Sequence, residues 1–142
     1  MADPLSIAGS IAGIVTGGAQ LSICLYNIAS RLKSAPQEVA DLAGEISFLS
    51  QTLSTIGDVL KQGKSLYTPC MLWELELRIS RIEEIHREVR GLTKSGRGLH
   101  RFLWIIRTGR VKALMARVES HKSAMSLVLS TMQLALFQRS SK

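Results

Sequence analysis

The sequence is poor in what builds sheets, cross-links and reactive sites. Aromatic residues make up 5% of the 142 positions and β-branched residues are scattered, so sheet-forming composition is weak. Proline occurs three times, at Pro4, Pro36 and Pro69, each where a helix could begin. Two cysteines, Cys24 and Cys70, make neither a disulfide framework nor a metal site and read as reduced thiols of an intracellular protein. His86, His100 and His121 lack metal-ligand spacing and any Cys or carboxylate cluster beside them, so no metal is expected. His86 lies near the apolar seam of its helix and reads as a packed or edge histidine.

Catalytic signatures are missing too. Gly9-Ser10-Ile11-Ala12-Gly13 lacks the spacing of a nucleophile elbow and lies within a helical pattern. Gly57, Gly63, Lys64 and Ser65 nearly spell a phosphate-binding loop, but five residues separate the glycines instead of four and no strand precedes them. A helix ending at Gly63 explains them better. Neither enzymatic activity nor a cofactor is expected. The start, Met1-Ala2-Asp3-Pro4, has no basic stretch of the secretory kind, and Ala2 stands where myristoylation needs glycine.

What is present is helical periodicity, in four segments that predict an all-α bundle over residues 1–138 with a polar tail at 139–142. The first opens with Asp3 as N-cap and Pro4 behind it, and could run to about Lys33. Its bulky positions are Ile7, Ile11, Ile14, Leu21, Leu25, Ile28 and Leu32, with Gly18 filling the missing turn. The second follows Ser34-Ala35-Pro36-Gln37, read as a capping box, and carries the seam Val39, Leu42, Ile46, Leu49, Leu53, Ile56, Leu60. The third takes Thr68 as its cap and turns Leu72, Leu75, Ile79, Ile82, Val89 and Leu92 inward, with Glu74–Arg78 and Glu83–Arg87 as surface charge pairs. Gly91, Gly96 and Gly98 are expected to loosen the chain before a basic-aromatic stretch. A long last helix follows Gly109, with Val111, Leu114, Met115, Val118, Met125, Val128, Leu129 and Met132 as its stripe.

The first segment departs from the other three. No charged residue occurs from Leu5 to Ala29, a run of 25 residues, and roughly 20 suffice to span a bilayer. Gly9, Gly13 and Gly17 recur every fourth residue, away from the Ile/Leu seam. Each glycine costs a helix about 0.8–1 kcal/mol relative to alanine, and small residues at that spacing let helices approach closely in lipid. Two readings follow. The helix is the bundle's central one, buried on all sides; or a docked resting helix is released to enter a membrane as part of an oligomer. Under the second, Leu5, Ile7, Gly9, Ile11, Gly13, Ile14, Gly17, Leu21 and Leu25 form the insertion element.

Charge is as uneven as hydropathy. Residues 87–112 hold eight basic side chains against Glu88 alone, a surplus equal to the net +7 of the whole chain. Anionic partners are therefore expected. Trp104 beside Arg101 and Arg107 has the look of an interfacial anchor, and Arg97, Arg101, Trp104, Arg107, Arg110 and Lys112 are the candidate lipid head-group contacts. A plain solvated surface is the alternative. No nucleic-acid reading motif accompanies the patch, and nucleic acid is not expected as a partner.

The opening Met1-Ala2-Asp3-Pro4-Leu5-Ser6-Ile7-Ala8-Gly9-Ser10-Ile11-Ala12-Gly13 resembles the start of the fungal N-terminal domains called HeLo-like. The stretch from Trp104 to Leu136 is similar to that family as well, notably Val111, Leu114, Val118-Glu119, His121-Lys122-Ser123 and Leu127-Val128-Leu129. The resemblance implies a helical bundle that serves as a cell-death or incompatibility effector and acts at membranes through its N-terminal helix. It implies self-association, anionic membrane lipids as partners, and an NLR or STAND receptor region in cis or in trans. It also implies a cytoplasmic resting form and a membrane-bound active form. The 142 residues include no nucleotide-binding or repeat region, where HeLo-like domains typically precede one.

Overall fold

The computed structural model describes residues 3–32, 36–62, 67–93 and 109–140. These residues form four α-helices: α1 (Pro4–Arg31), α2 (Pro36–Gln62), α3 (Pro69–Thr93) and α4 (Arg110–Ser140). The all-α bundle expected from periodicity is the fold.

The helix starts follow from local chemistry. Asp3, in extended conformation, accepts the Ser6 N–H at 2.9 Å on its carboxylate, and Pro4 occupies a position whose missing N–H costs nothing. Thr68 Oγ1 accepts the Met71 N–H at 3.2 Å and caps α3 as expected. Gly109 has φ of +79°, a conformation that favours glycine, and its carbonyl accepts the Ala113 N–H at the head of α4. The capping box of α2 lies partly outside the described residues; within them, Gln37 Nε2 donates to Asp41 Oδ1 at 2.7 Å.

α2 organises the core. All seven residues of its 3-4 seam, Val39 through Leu60, are fully buried. α1 runs antiparallel along one side of it, with Tyr26 near Gly44, Gly18 at Ser50, and Ile11 Cγ2 lying 3.4 Å from where a Gly57 Cβ would stand. α4 lies on the other side, tied to α2 by Lys122–Glu45 at 2.6 Å, with the Lys122 ammonium 5.3 Å from the centre of the Phe48 ring. α3 closes the bundle against α1 and α4, and Arg117 bridges Glu88 at 2.6 Å.

Several details differ from expectation. α3 continues through Gly91 to Thr93, because one glycine in a helix already docked by Val89 and Leu92 costs too little to break it. α4 extends to Ser140, beyond the expected end at 138. Glu83 and Arg87 pair at 3.5 Å, whereas Glu74 and Arg78 form no ion pair among the described residues.

Leu49 is 1% exposed at the middle of α2. Leu49→Asp places an unpaired carboxylate in the core and is expected to cost more than about 4 kcal/mol. Urea denaturation checks this, and wild-type stability would contradict the placement of the seam.

Candidate functional site

The two faces of α1 have different fates. Ile7, Ile11, Ile14, Leu21 and Leu25 are buried against the core, as the seam predicts, and Ala8, Gly18, Ser22 and Ala29 join them. The opposite face is open. Leu5 is 54% exposed and Ile23 62%. Gly9 and Gly13 are exposed, and a Cβ built at either would meet nothing within 4 Å among the described residues. α1 is therefore not a central helix surrounded by its neighbours. Only 39% of its most apolar 18-residue window is buried. Its partners are chiefly α2 and then α3, because two helices suffice to cover one seam.

By length and composition α1 could cross a membrane, a property that core helices of soluble proteins also show. Three of its hydroxyls, those of Thr16, Ser22 and Ser30, donate to carbonyls of the helix itself. Thr16 Oγ1 donates to the Ala12 carbonyl at 3.1 Å and Ser22 Oγ to the Gly18 carbonyl at 3.0 Å. These side chains are satisfied within the helix and do not depend on water.

Gly17 and Gly18 mark where α1 meets both neighbours. A Gly18 Cβ would collide with Ser50 Oγ of α2 and stand 3.0 Å from His86 Cε1 of α3, while a Gly17 Cβ would stand 3.1 Å from the Arg90 guanidinium. The glycine at position 18 is what lets three helices converge here. Ser50 and His86 are 4% and 2% exposed, and among the described residues neither Ser50 Oγ nor His86 Nε2 has a hydrogen-bond partner. Burial, reinforced by the Arg90 cation, lowers the His86 pKa to about 4. Sequence reading placed Gly18 in the seam and His86 near it. It missed that the two touch, because Ser50 and His86 lie at the flanks of their seams, where periodicity predicts neither burial nor partner. The available signal was small or polar residues next to core positions on all three helices.

The head-group candidates divide. Arg110 and Lys112 are exposed in the first turn of α4. α4 runs parallel to α2 and α1 antiparallel to it, so these cations sit at the end of the bundle where α1 finishes at Arg31, away from Leu5. No acidic residue occupies the first turn of α4. Cations there oppose the helix dipole, an arrangement that costs stability. Lys112 also shares a groove with Glu38, Asp41 and Glu119, so carboxylates compete for it. Arg97, Arg101, Trp104 and Arg107 lie outside the described residues. Among the described residues no group of acidic, His or Cys side chains is arranged to hold a metal.

The glycines make a paired test. Gly13→Ala fills open space and should stabilise the domain by about 0.5–1 kcal/mol through helix propensity. Gly18→Ala forces Ser50 and His86 apart and should destabilise it by about 1–3 kcal/mol. Chemical denaturation of both variants gives opposite signs if the two faces are assigned correctly.

Comparison with known proteins agrees with the span of the bundle. No curated protein and no solved structure matches the chain. A family profile matches residues 2–140, which takes in all four helices, and it describes an N-terminal domain of a fungal protein. On that match the chain belongs to the family described as pigment biosynthesis cluster protein PigL N-terminal.

Proposed function

We propose that this domain is a membrane-permeabilising effector, activated by oligomerisation, whose α1 leaves the bundle and inserts into an anionic bilayer. The observation that carries the reading is the open face of α1. A Cβ at Gly9 or Gly13 would meet nothing within 4 Å among the described residues, so the described bundle makes no use of glycines that cost its helix about 0.8–1 kcal/mol each. A close-packed helix oligomer in lipid would use them. The absence of charge from Leu5 to Ala29 and the internally bonded hydroxyls of Thr16 and Ser22 favour the same reading. The HeLo-like resemblance suggests the setting: regulated cell death or incompatibility, a cytoplasmic resting state, and a receptor region of the NLR or STAND kind that clusters the domain in cis or in trans.

In this mechanism the Ile/Leu seam of α1 is the resting contact. On clustering, α1 swings out, its seam turns to lipid chains, and its glycine face meets other copies. Arg110, with the basic residues of the 87–112 stretch, holds head groups near the end where α1 finishes. The alternative is a soluble oligomerisation module. It is favoured by exposed apolar side chains distant from α1 in sequence, Trp73 and Leu77 on α3 and Leu127 and Leu134 on α4.

Dye release from anionic liposomes by the artificially clustered domain separates the two. Gly9→Leu with Gly13→Leu is the decisive variant, since both positions open on solvent and the fold should persist. A glycine-packed oligomer loses release by tenfold or more; unchanged release from a folded double variant rules out the glycine face. Arg110→Gln with Lys112→Gln should weaken co-sedimentation with anionic vesicles while leaving melting within a few degrees. Equal binding to neutral and anionic vesicles would overturn the head-group assignment.

A further inference from the structure

We infer that the convergence of Gly18, Ser50 and His86 is an acid-sensitive latch on α1: a proton on His86 frees α1 from α2 and α3 while α2 stays docked on α4. The latch concerns docking in water and holds whether or not the freed helix meets lipid.

Geometry carries it. His86 is 2% exposed and its Nε2 has no hydrogen-bond partner among the described residues. An imidazolium there would present a new N–H with no acceptor beyond the buried Ser50 hydroxyl, which it does not now engage. Among the described residues no element around it supplies a counter-charge. α1 has no charged residue from Leu5 to Ser30. α2 offers Ser50, and its Glu45 is held by Lys122 on the far side. On α3 itself Arg90, one turn away, is a cation; Glu83 and Glu88 pair with Arg87 and Arg117, and Glu84 is exposed to solvent while the ring is buried. From α4, Arg117 and His121 face the other flank of α3, near Arg78 and Arg81. A charged His86 is therefore unpaired, desolvated and repelled, the costliest state a buried side chain can adopt.

Release of α1 is the cheapest relief. Gly17 and Gly18 interrupt its seam between Ile14 and Leu21, the Gly18 backbone lies over the edge of the imidazole, and lifting α1 would open the ring to water. The sign follows from burial. The docked state holds His86 at about 4 and an exposed histidine titrates near 6.5, so docking is strongest above pH 6.5, weakens as pH falls, and stops changing below about 4. Between pH 7 and pH 5 the α1 docking equilibrium should weaken by about 20-fold.

The test is segment-resolved hydrogen exchange on the whole domain in lipid-free buffer at pH 7 and pH 5, corrected for intrinsic rates. At pH 5 ordinary carboxylates remain largely ionised, so the other ion pairs are kept. α1 should lose about 20-fold in protection while the centre of α2 keeps its own. His86→Phe should abolish the change, and His86→Gln, a polar non-titrating variant, serves if the phenyl ring disturbs the fold. His121→Gln, on the other flank of α3, should leave the α1 response intact. Equal loss across α1 and α2, a flat wild-type response, or an unchanged response in folded His86 variants overturns the latch. Because no lipid is present, failure here leaves the liposome result untouched, and the reverse holds.

Discussion

A helix without charge has to be held in water by one face, and the rest of the bundle is arranged around that constraint. α1 supplies a single seam, Ile7, Ile11, Ile14, Leu21 and Leu25, and α2 supplies the complementary one. α2 is buried along its whole seam because it serves α1 on one side and α4 on the other. α4 in turn is held partly by charge: Lys122 to Glu45 across α2, Arg117 to Glu88 across α3. No such tie is open to α1. Its docking rests on apolar burial, roughly 1.5–3 kcal/mol for each fully buried large side chain at most, and on the fit at Gly18.

That fit separates two uses of one residue type. At Gly18 the missing Cβ is required by the fold, since Ser50 and His86 occupy its place. At Gly9 and Gly13 nothing among the described residues occupies it. A four-residue glycine spacing in a sequence therefore does not state its own purpose; the neighbours do. Gly17 is intermediate, with the far end of the Arg90 side chain above it.

The fold was legible because helix periodicity reports phase directly. Each α2 seam residue, the α1 seam apart from half-buried Ile28, and the caps Asp3 and Thr68 could be read from spacing and residue type alone. What periodicity does not report is how many neighbours a helix has. α1 is uncharged all round, which fits a surrounded helix as well as a half-open one, and only packing against α2 and α3 distinguishes them. The same limit hid His86. A polar residue beside a seam is exposed on most helices, and it becomes buried here because a glycine on another helix admits it. In α4, His121 and Lys122 stand where the stripe passes from Val118 to Met125, and their tertiary partners, not their hydropathy, explain the position. Of the head-group candidates, spacing located Arg110 and Lys112 on the surface but could not show Glu38, Asp41 and Glu119 beside Lys112.

Under the membrane reading, α1 must be acceptable to two solvents, and its composition meets the demands of both. In water the seam is hidden and the glycine face is wet; in lipid the seam would face hydrocarbon and the glycines would be hidden. Ionised side chains on either face would forbid one of these states, since a charge at the bilayer centre costs at least about 2.5–3.5 kcal/mol. Hydroxyls bonded to their own helix forbid neither. A longer run of leucine would favour lipid so strongly that the resting state would fail, and a charged outer face would favour water permanently. Small and uncharged residues opposite an aliphatic seam rule out neither state by charge, which leaves clustering to decide between them under this reading.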